Sequence, residues 1–316
     1  MPLDPQVAAL LEARAKVLPR TGTVPAVEMR ALHKALLARA LPGPAIHDVR
    51  DAAFAGPAGA VPVRVYRPAP QVDALIVYFH GGGWTVGSLD GWDAALRRLA
   101  LRSRCAIVSV DYRLAPEHRF PAAHDDALAA VRWAGAHIVE LAGAPVPLVV
   151  AGDSAGANLS TAVARIVSDE GGPAIAAQVL LYPSTDGNVD SAFMHRFVPP
   201  SLAREEIAWY FDQYAPDHAQ RTDPRFAPLH AGDLAGLPPA FVGTVDNDLL
   251  REEGELYAQR LEASGVPVVA RCYRGTVHGF FTADRGLAPH SDAAMADIAD
   301  FIAQVLGSAA ARVPSG

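Results

Sequence analysis

The stretch PLVVAGDSAGANLSTAVARIVSDE, Pro147 to Glu170, passes from an apolar, β-branched strand straight into a helical segment, with Gly152-Asp153-Ser154-Ala155-Gly156 as the entire connection. A strand-to-helix turn this tight needs small residues on both sides, and it leaves its central side chain strained and exposed above the sheet. Two roles compete for Ser154. It caps the following helix, as serine commonly does, or it acts as a nucleophile at a helix N-terminus, where N–H groups and the dipole favour a neighbouring negative charge.

The strand-then-helix alternation extends along the chain. ALIVYF, CAIVSV, PLVVAG, AQVLLYP, AFVGTV and PVVARCYR are apolar runs rich in β-branched residues, with helical stretches between or after most of them. Runs without polar alternation suit strands buried on both faces, so the expected fold class is α/β, a mostly parallel central sheet flanked by helices. AIHDVRDAAF and AVPVRVYRP read as two short strands around the turn-forming GPAG. Ahead of them, DPQVAALLEARAKV and VPAVEMRALHKALLARAL carry apolar residues at helical spacing, the second opening on Thr23 and Pro25. Residues 187–232 interrupt the alternation with helical, aromatic-bearing sequence that belongs to no strand–helix unit. Such an insertion over a parallel sheet predicts a helical cap, built from it and from about residues 1–45 of a single domain.

Composition narrows the setting. With 316 residues, 51% hydrophobic and 19% charged, the chain has the make-up of a globular protein with a sizeable core. A net charge of −7 gives no footprint for a phosphate backbone, so no nucleic-acid partner is expected. The N-terminus, MPLDPQVAALLEARAKVLPR, breaks its apolar runs with charges and suits neither a secretory signal nor a membrane span. A cytoplasmic protein without membrane attachment is the expectation. Cys105 and Cys272, each in a strand-like run, predict two buried free thiols rather than a disulfide or a zinc site.

A serine hydroxyl becomes nucleophilic only when a base takes its proton, and the base needs a carboxylate to orient it. On a sheet of this kind the order is serine, acid, histidine. After Ser154 the chain offers His195, His218, His230, His278 and His290. The first three lie in the insertion, where a surface role is expected, and His290 stands in a polar stretch before the last helix. His278, in RGTVHGFF just past the strand VVARCYR, is where a sheet would deliver a base to its rim. The strand AFVGTV ends in Asp246-Asn247-Asp248; either aspartate suits the acid, and the other would cap the next helix. Upstream, IVYFHGGGWTVGS (76–88) gives up its side chains at Gly81-Gly82-Gly83. Glycine there lets backbone N–H groups face a phosphate or a developing oxyanion, and the spacing matches neither phosphate-binding pattern. Trp84 is expected to pack against that loop. Asp153 is expected to be a solvated or capping acid, Asn158 a helix-face residue, and His118, His124, Asp125 and Asp126 structural hydrogen-bonding groups rather than metal ligands.

HGGGW (80–84), DYRLAPEHRFPAAHDDA (111–127), GDSAGANL (152–159), LLYPSTD (180–186), DLLREEG (248–254) and GTVHGF (275–280) together resemble the bacterial hormone-sensitive-lipase-like esterases, an α/β-hydrolase family. The resemblance runs from about residue 25 to 305 with the motifs in order. It implies Ser154 as nucleophile, His278 as base and Asp248 as acid, since the family's D-P-L-R-D-E-G segment lies over Asp248–Gly254 with Leu249 in place of the proline. It also implies an oxyanion hole from the N–H groups of Gly81, Gly82 and Ala155.

The function so implied is a serine carboxylesterase acting on short- to medium-chain acyl esters through an acyl-enzyme, with no cofactor and no metal. A homodimer paired through the last strand, VVARCYR, is a further expectation. The same residues would also serve amide, lactone or acetyl-group hydrolysis, because a triad does not define the leaving group. A binding-only protein of this fold is the other alternative, and the retention of Ser154, Asp248 and His278 argues against it.

Overall fold

The runs ALIVYF, CAIVSV, PLVVAG and AFVGTV form strands buried on both faces, whereas PVVARCYR, expected to be buried, is largely exposed as the edge strand of the sheet. The computed structural model describes residues 2–37, 42–282 and 288–310. Strands β1 (Asp48–Gly56), β2 (Gly59–Arg67), β3 (Leu75–Phe79), β4 (Ala106–Val110), β5 (Leu148–Asp153), β6 (Ile175–Leu181), β7 (Ala240–Asn247) and β8 (Val268–Val277) make one sheet in the order β1-β2-β4-β3-β5-β6-β7-β8. The β1–β2 hairpin turns at Gly56 and Gly59, as GPAG predicts, and β2 pairs antiparallel with β4. From β4 to β8 all pairings are parallel.

Alternate side chains of each central strand enter different cores. Leu75, Val77 and Phe79 of β3 join the cluster covered by α4 (Ala122–Ala136), α5 (Ile138–Ala142) and α6 (Ala155–Glu170). Ile76 and Tyr78 point the other way, into the cluster covered by α1 (Pro5–Ala15), α3 (Leu89–Ser103) and α10 (Ala288–Ala310). Between them in sequence lie α2 (Ala26–Leu37), α7 (Ala192–Arg196), α8 (Arg204–Tyr214) and α9 (Arg251–Ala263). The helix expected from VPAVEMRALHKALLARAL is α2, and residues 38–41 of that stretch lie outside the described residues. Among the described residues no helix is long and apolar enough to cross a membrane. Cys105 is buried as expected, but Cys272 is exposed on β8, the edge strand of the sheet among the described residues.

The insertion holds α7, α8 and two short 3-10 turns, and it is sewn onto the body. Trp84 is buried and stacks on Tyr214 at 4.9 Å, with Phe211 and Phe226 around it. The N-terminal region meets both neighbours. Thr21 N–H donates to Glu206 of α8 at 3.2 Å, and Arg30 of α2 donates to the Thr85 carbonyl at 2.7 Å and pairs with Glu117. At the base of the insertion, His124 bonds Tyr214 Oη at 2.9 Å and Asn158 Oδ1 at 3.0 Å, while Asn158 Nδ2 donates to the Ser184 and Phe226 carbonyls. Asn158 is therefore a buried bridge rather than a helix-face residue, because α6 lies between the sheet and the insertion. His124 and Asp126 are structural, as expected, with Asp126 held bidentately by Arg113.

At the β5–α6 turn the helix comes close enough to β3 that a Cβ on Gly156 would run into the Phe79 carbonyl. Gly156→Ala is expected to cost about 3 kcal/mol or more through overpacking against rigid backbone, and to lower Tm by about 5 °C or more. Gly236→Ala, where φ is +78° but no neighbour stands within reach, serves as the control; it should cost about 1 kcal/mol from backbone strain alone. Thermal denaturation of both variants checks the pair, and equal losses would contradict the close-packing account.

Candidate active site

Register places the pieces before any side chain acts. Phe79 of β3 pairs with Gly152 of β5, so the His80–Gly83 loop and the Asp153–Ser154 turn leave the sheet side by side. Asn247 of β7 pairs with Val277 of β8, past an irregularity after Val245, so Asp248 and His278 are the next residue on each strand.

Ser154 has φ 55° and ψ −120°, a conformation that costs a non-glycine residue about 1–3 kcal/mol. The side chain does not cap α6. Its Oγ instead lies 2.9 Å from His278 Nε2. His278 Nδ1 lies 2.7 Å from Asp248 Oδ2. A carboxylate only accepts, so Nδ1 carries the proton and Nε2 is free to accept from the serine hydroxyl. Asp248 is fully buried, and His278 keeps only 12% of its side chain exposed.

The two aspartates of Asp246-Asn247-Asp248 have separate tasks. Asp246 accepts from Gly275 N–H and from Asn247 Nδ2, holding the turn at Gly275, where φ is +73°. It does not cap the next helix. Nor does Asp248, since α9 has no side-chain cap; its Oδ1 accepts from Leu250 N–H at 3.0 Å in the turn before the helix, while Oδ2 faces His278. Leu249, at the family's proline position, is buried and leaves the acid in place. His195, His218 and His230 are exposed in the insertion, the first near Asp190 and the last on Asp186, and His290 lies 3.8 Å from Asp4.

The glycine loop departs from expectation at one residue. Gly81 N–H already donates to Asp153 Oδ1 at 3.0 Å, so it is not an open donor. The N–H groups of Gly82 and Ala155 make no hydrogen bond among the described residues, and Gly82 is partly exposed while Gly81 is buried. Gly82 has φ +110°, and a side chain there would meet the Val86 carbonyl, so glycine is required. Asp153 is not the solvated acid that its charge suggests but is 2% exposed. Burial pushes its carboxyl up to about 6, against hydrogen bonds from Tyr78 and Trp92 that favour the charged form.

Residues inside the quoted motifs to which the sequence assigns no role complete the surroundings. Tyr182, at φ 36°, lays its ring 4.7 Å from His278. Glu253 is buried beneath the segment after β6, accepting from the Thr185 and Asp186 N–H groups. His80 stacks between Trp92 and Tyr112, and burial pushes it down to about 4, so it stays neutral at pH 7. Their signal in the sequence is slight, since an acid or aromatic side chain beside a motif is more often solvated or core.

Comparison with known proteins follows the same lines. A family model described as an alpha/beta hydrolase fold matches residues 76–282. The chain is 44% identical over 257 residues to the carboxylic ester hydrolase LipN of Mycobacterium tuberculosis, covering 78% of this chain and 68% of that one. It is 38% identical over 227 residues to an ethyl acetate hydrolase of Pseudomonas putida, covering 70% and 71%. Among solved structures, the hyperthermophilic esterase of Pyrobaculum calidifontis superposes with a TM-score of 0.87 at 36% identity, covering 98% and 99% of the two chains.

Glu253 provides a pH test of the site's framework. Burial pushes its carboxyl up to about 8 from 4.5. A group whose pKa is higher in the folded than in the unfolded state adds stability below its unfolded value and loses it as pH rises through the folded one. Glu253→Gln keeps the Oε1 acceptor and cannot ionise. Wild-type Tm should therefore fall relative to Glu253→Gln as pH rises from about 4.5 to about 8, with a constant gap beyond. Thermal denaturation of both proteins from pH 5 to 9 checks this, and parallel curves would show that Glu253 does not change state.

Proposed function

This chain belongs to the α/β-hydrolase family as a hormone-sensitive-lipase-like carboxylic ester hydrolase, and from that premise we propose that Ser154, His278 and Asp248 carry the reaction. The observation that supports these roles is the continuous hydrogen-bonded line from Ser154 Oγ to His278 to Asp248, at 2.9 and 2.7 Å. His278 Nε2 takes the hydroxyl proton as Ser154 Oγ attacks the ester carbonyl carbon. Negative charge then develops on the carbonyl oxygen, beside the N–H groups of Gly82 and Ala155 at the N-terminus of α6. Donors fixed before the reaction cost no reorganisation when that charge appears. The tetrahedral species collapses, the C–O bond to the alcohol breaks, and His278 returns its proton to the leaving oxygen. Water, deprotonated by His278, repeats the sequence on the acyl-enzyme and restores Ser154. Asp248 stays ionised throughout, keeping Nδ1 protonated and stabilising the imidazolium.

The preferred esters carry short to medium acyl chains. The Trp84, Phe211, Tyr214 and Phe226 cluster fastens the insertion over the body, and the N-terminal region meets α8 beside it, so the two form a cap that limits chain length. The relative named as an ethyl acetate hydrolase supports the same end of the range.

Initial rates on p-nitrophenyl esters from acetyl to palmitoyl should peak at or below the octanoyl ester, and rates still rising at palmitoyl would overturn the chain-length assignment. In the same assay Ser154→Ala and His278→Ala should each lower kcat by about 10⁶ if the residues act as a unit. Asp248→Asn should lower it by about 10⁴ through the wrong histidine tautomer. Near wild-type turnover in folded His278→Ala would place the base elsewhere.

A further inference from the structure

Asp153 occupies the variable position before the nucleophile, where the tight turn requires no particular side chain. Yet it is buried, and three donors converge on one of its oxygens. Oδ1 accepts from Trp92 Nε1 at 2.7 Å, from Tyr78 Oη at 2.8 Å and from Gly81 N–H at 3.0 Å. Tyr182 Oη lies 3.4 Å from Oδ2, and the ring of Tyr182 packs on His278. These donors come from α3, β3, the glycine loop and the segment after β6, four pieces that border Ser154.

Of those pieces, three are held by other means. Tyr78 sits in a strand paired on both sides, Trp92 is part of a helix, and Tyr182 N–H donates to the Gly243 carbonyl. The glycine loop is different. Gly82, Gly83 and Gly87 all have positive φ, and none offers a side chain to pack. Glycine loses more conformational freedom on ordering than any other residue, so such a loop needs anchors. At its far end it has them, in the Trp84 stack and in Arg30 on the Thr85 carbonyl. At the near end Tyr112 Oη holds the His80 carbonyl at 2.7 Å, and the bond from Gly81 to Asp153, just before the open N–H of Gly82, is the one that ties the loop to the nucleophile turn.

We propose that Asp153 is a positioning residue that locks the oxyanion loop to the nucleophile turn, spending the Gly81 N–H as a tether so that Gly82 and Ala155 are left to bind the oxyanion. This rests on the serine-esterase assignment above. The role belongs to the acceptor oxygen, so it survives loss of charge. In Asp153→Asn the amide oxygen can take the place of Oδ1 and keep all three donors, with the amide nitrogen facing the Tyr182 hydroxyl oxygen. Asp153→Ala removes the tether.

The test measures kcat, KM and inhibition by a trifluoromethyl ketone, whose adduct with serine carries an oxyanion, for wild type, Asp153→Asn, Asp153→Ala and Ser154→Ala, each verified as folded by circular dichroism. Asp153→Ala should lose about 10²–10³ in kcat, the scale of one oxyanion donor. Its KM should stay within about threefold, and its ketone affinity should weaken in step with kcat/KM, as for a group that acts only in the transition state. Asp153→Asn should recover kcat to within about tenfold of wild type. Should Asp153→Ala not fold, Asp153→Ser, whose hydroxyl is too short to reach the same point, takes its place. An unchanged kcat in the folded truncation, a loss confined to KM, or an Asp153→Asn as poor as the truncation would each overturn the proposal. Activity surviving in Ser154→Ala would instead overturn the nucleophile assignment on which it rests.

Discussion

The close approach of α6 to the end of β3 governs the rest of the molecule. Gly152 and Gly156 bring the helix N-terminus against the Phe79 carbonyl, where a Cβ on Gly156 would run into it and one on Gly152 would be equally crowded. With that contact made, Ser154 is the residue left at the corner, in a strained conformation that only a fixed strand and a fixed helix maintain. The register between β3 and β5 then delivers the glycine loop beside it. The other parallel edge delivers Asp248 and His278 together by the pairing of Asn247 with Val277. None of Ser154, Asp248 and His278 needs a long reach to meet, because the strand ends have already converged.

Four acids around this corner differ in what surrounds them rather than in what they are. Asp248 divides its oxygens between the Leu250 N–H, in the turn before α9, and His278. Asp246 fixes the turn at Gly275, which the N-terminal segment also grips through Asp4 N–H on the Gly275 carbonyl. Asp153 gathers donors from neighbouring elements, and burial raises its carboxyl. Glu253 supports the segment after β6 and is raised further, by burial first and then by the neighbouring charges of Asp186 and Asp248. Each is satisfied by backbone or aromatic donors, the condition under which a buried carboxylate is tolerable at all.

The insertion is joined to the body by aromatic packing and by polar bridges. Trp84 follows the glycines directly, so the same short stretch that borders the oxyanion position also roots the insertion through Tyr214 and Phe226. Arg30 ties α2 to the far end of that loop. His124, kept neutral by burial that pushes it down to about 4, holds Asn158 and Tyr214 in a single tautomer. The insertion's position and the loop's shape are thereby linked, since both rest on Trp84 and Thr85.

The sequence by itself determined the eight strands, the helical insertion between β6 and β7, the tight turn around Ser154 and the place of His278 at a strand end. Those follow from local facts: apolar runs without polar alternation, glycine where backbone must pass closely, and a histidine just past a strand. Spacing left Asp246 and Asp248 equal, and resemblance alone favoured Asp248. Tertiary structure separated them, because the shift in register between β7 and β8 turns one toward Gly275 and the other toward His278. It also decided that Asp153 is buried, that Gly81 spends its N–H on it, that Asn158 bridges rather than faces solvent, and that Cys272 lies exposed on an edge. Each of these depends on which elements become neighbours across dozens of residues. A side chain's burial and hydrogen-bond partners are properties of that assembly, and a local pattern carries no record of them.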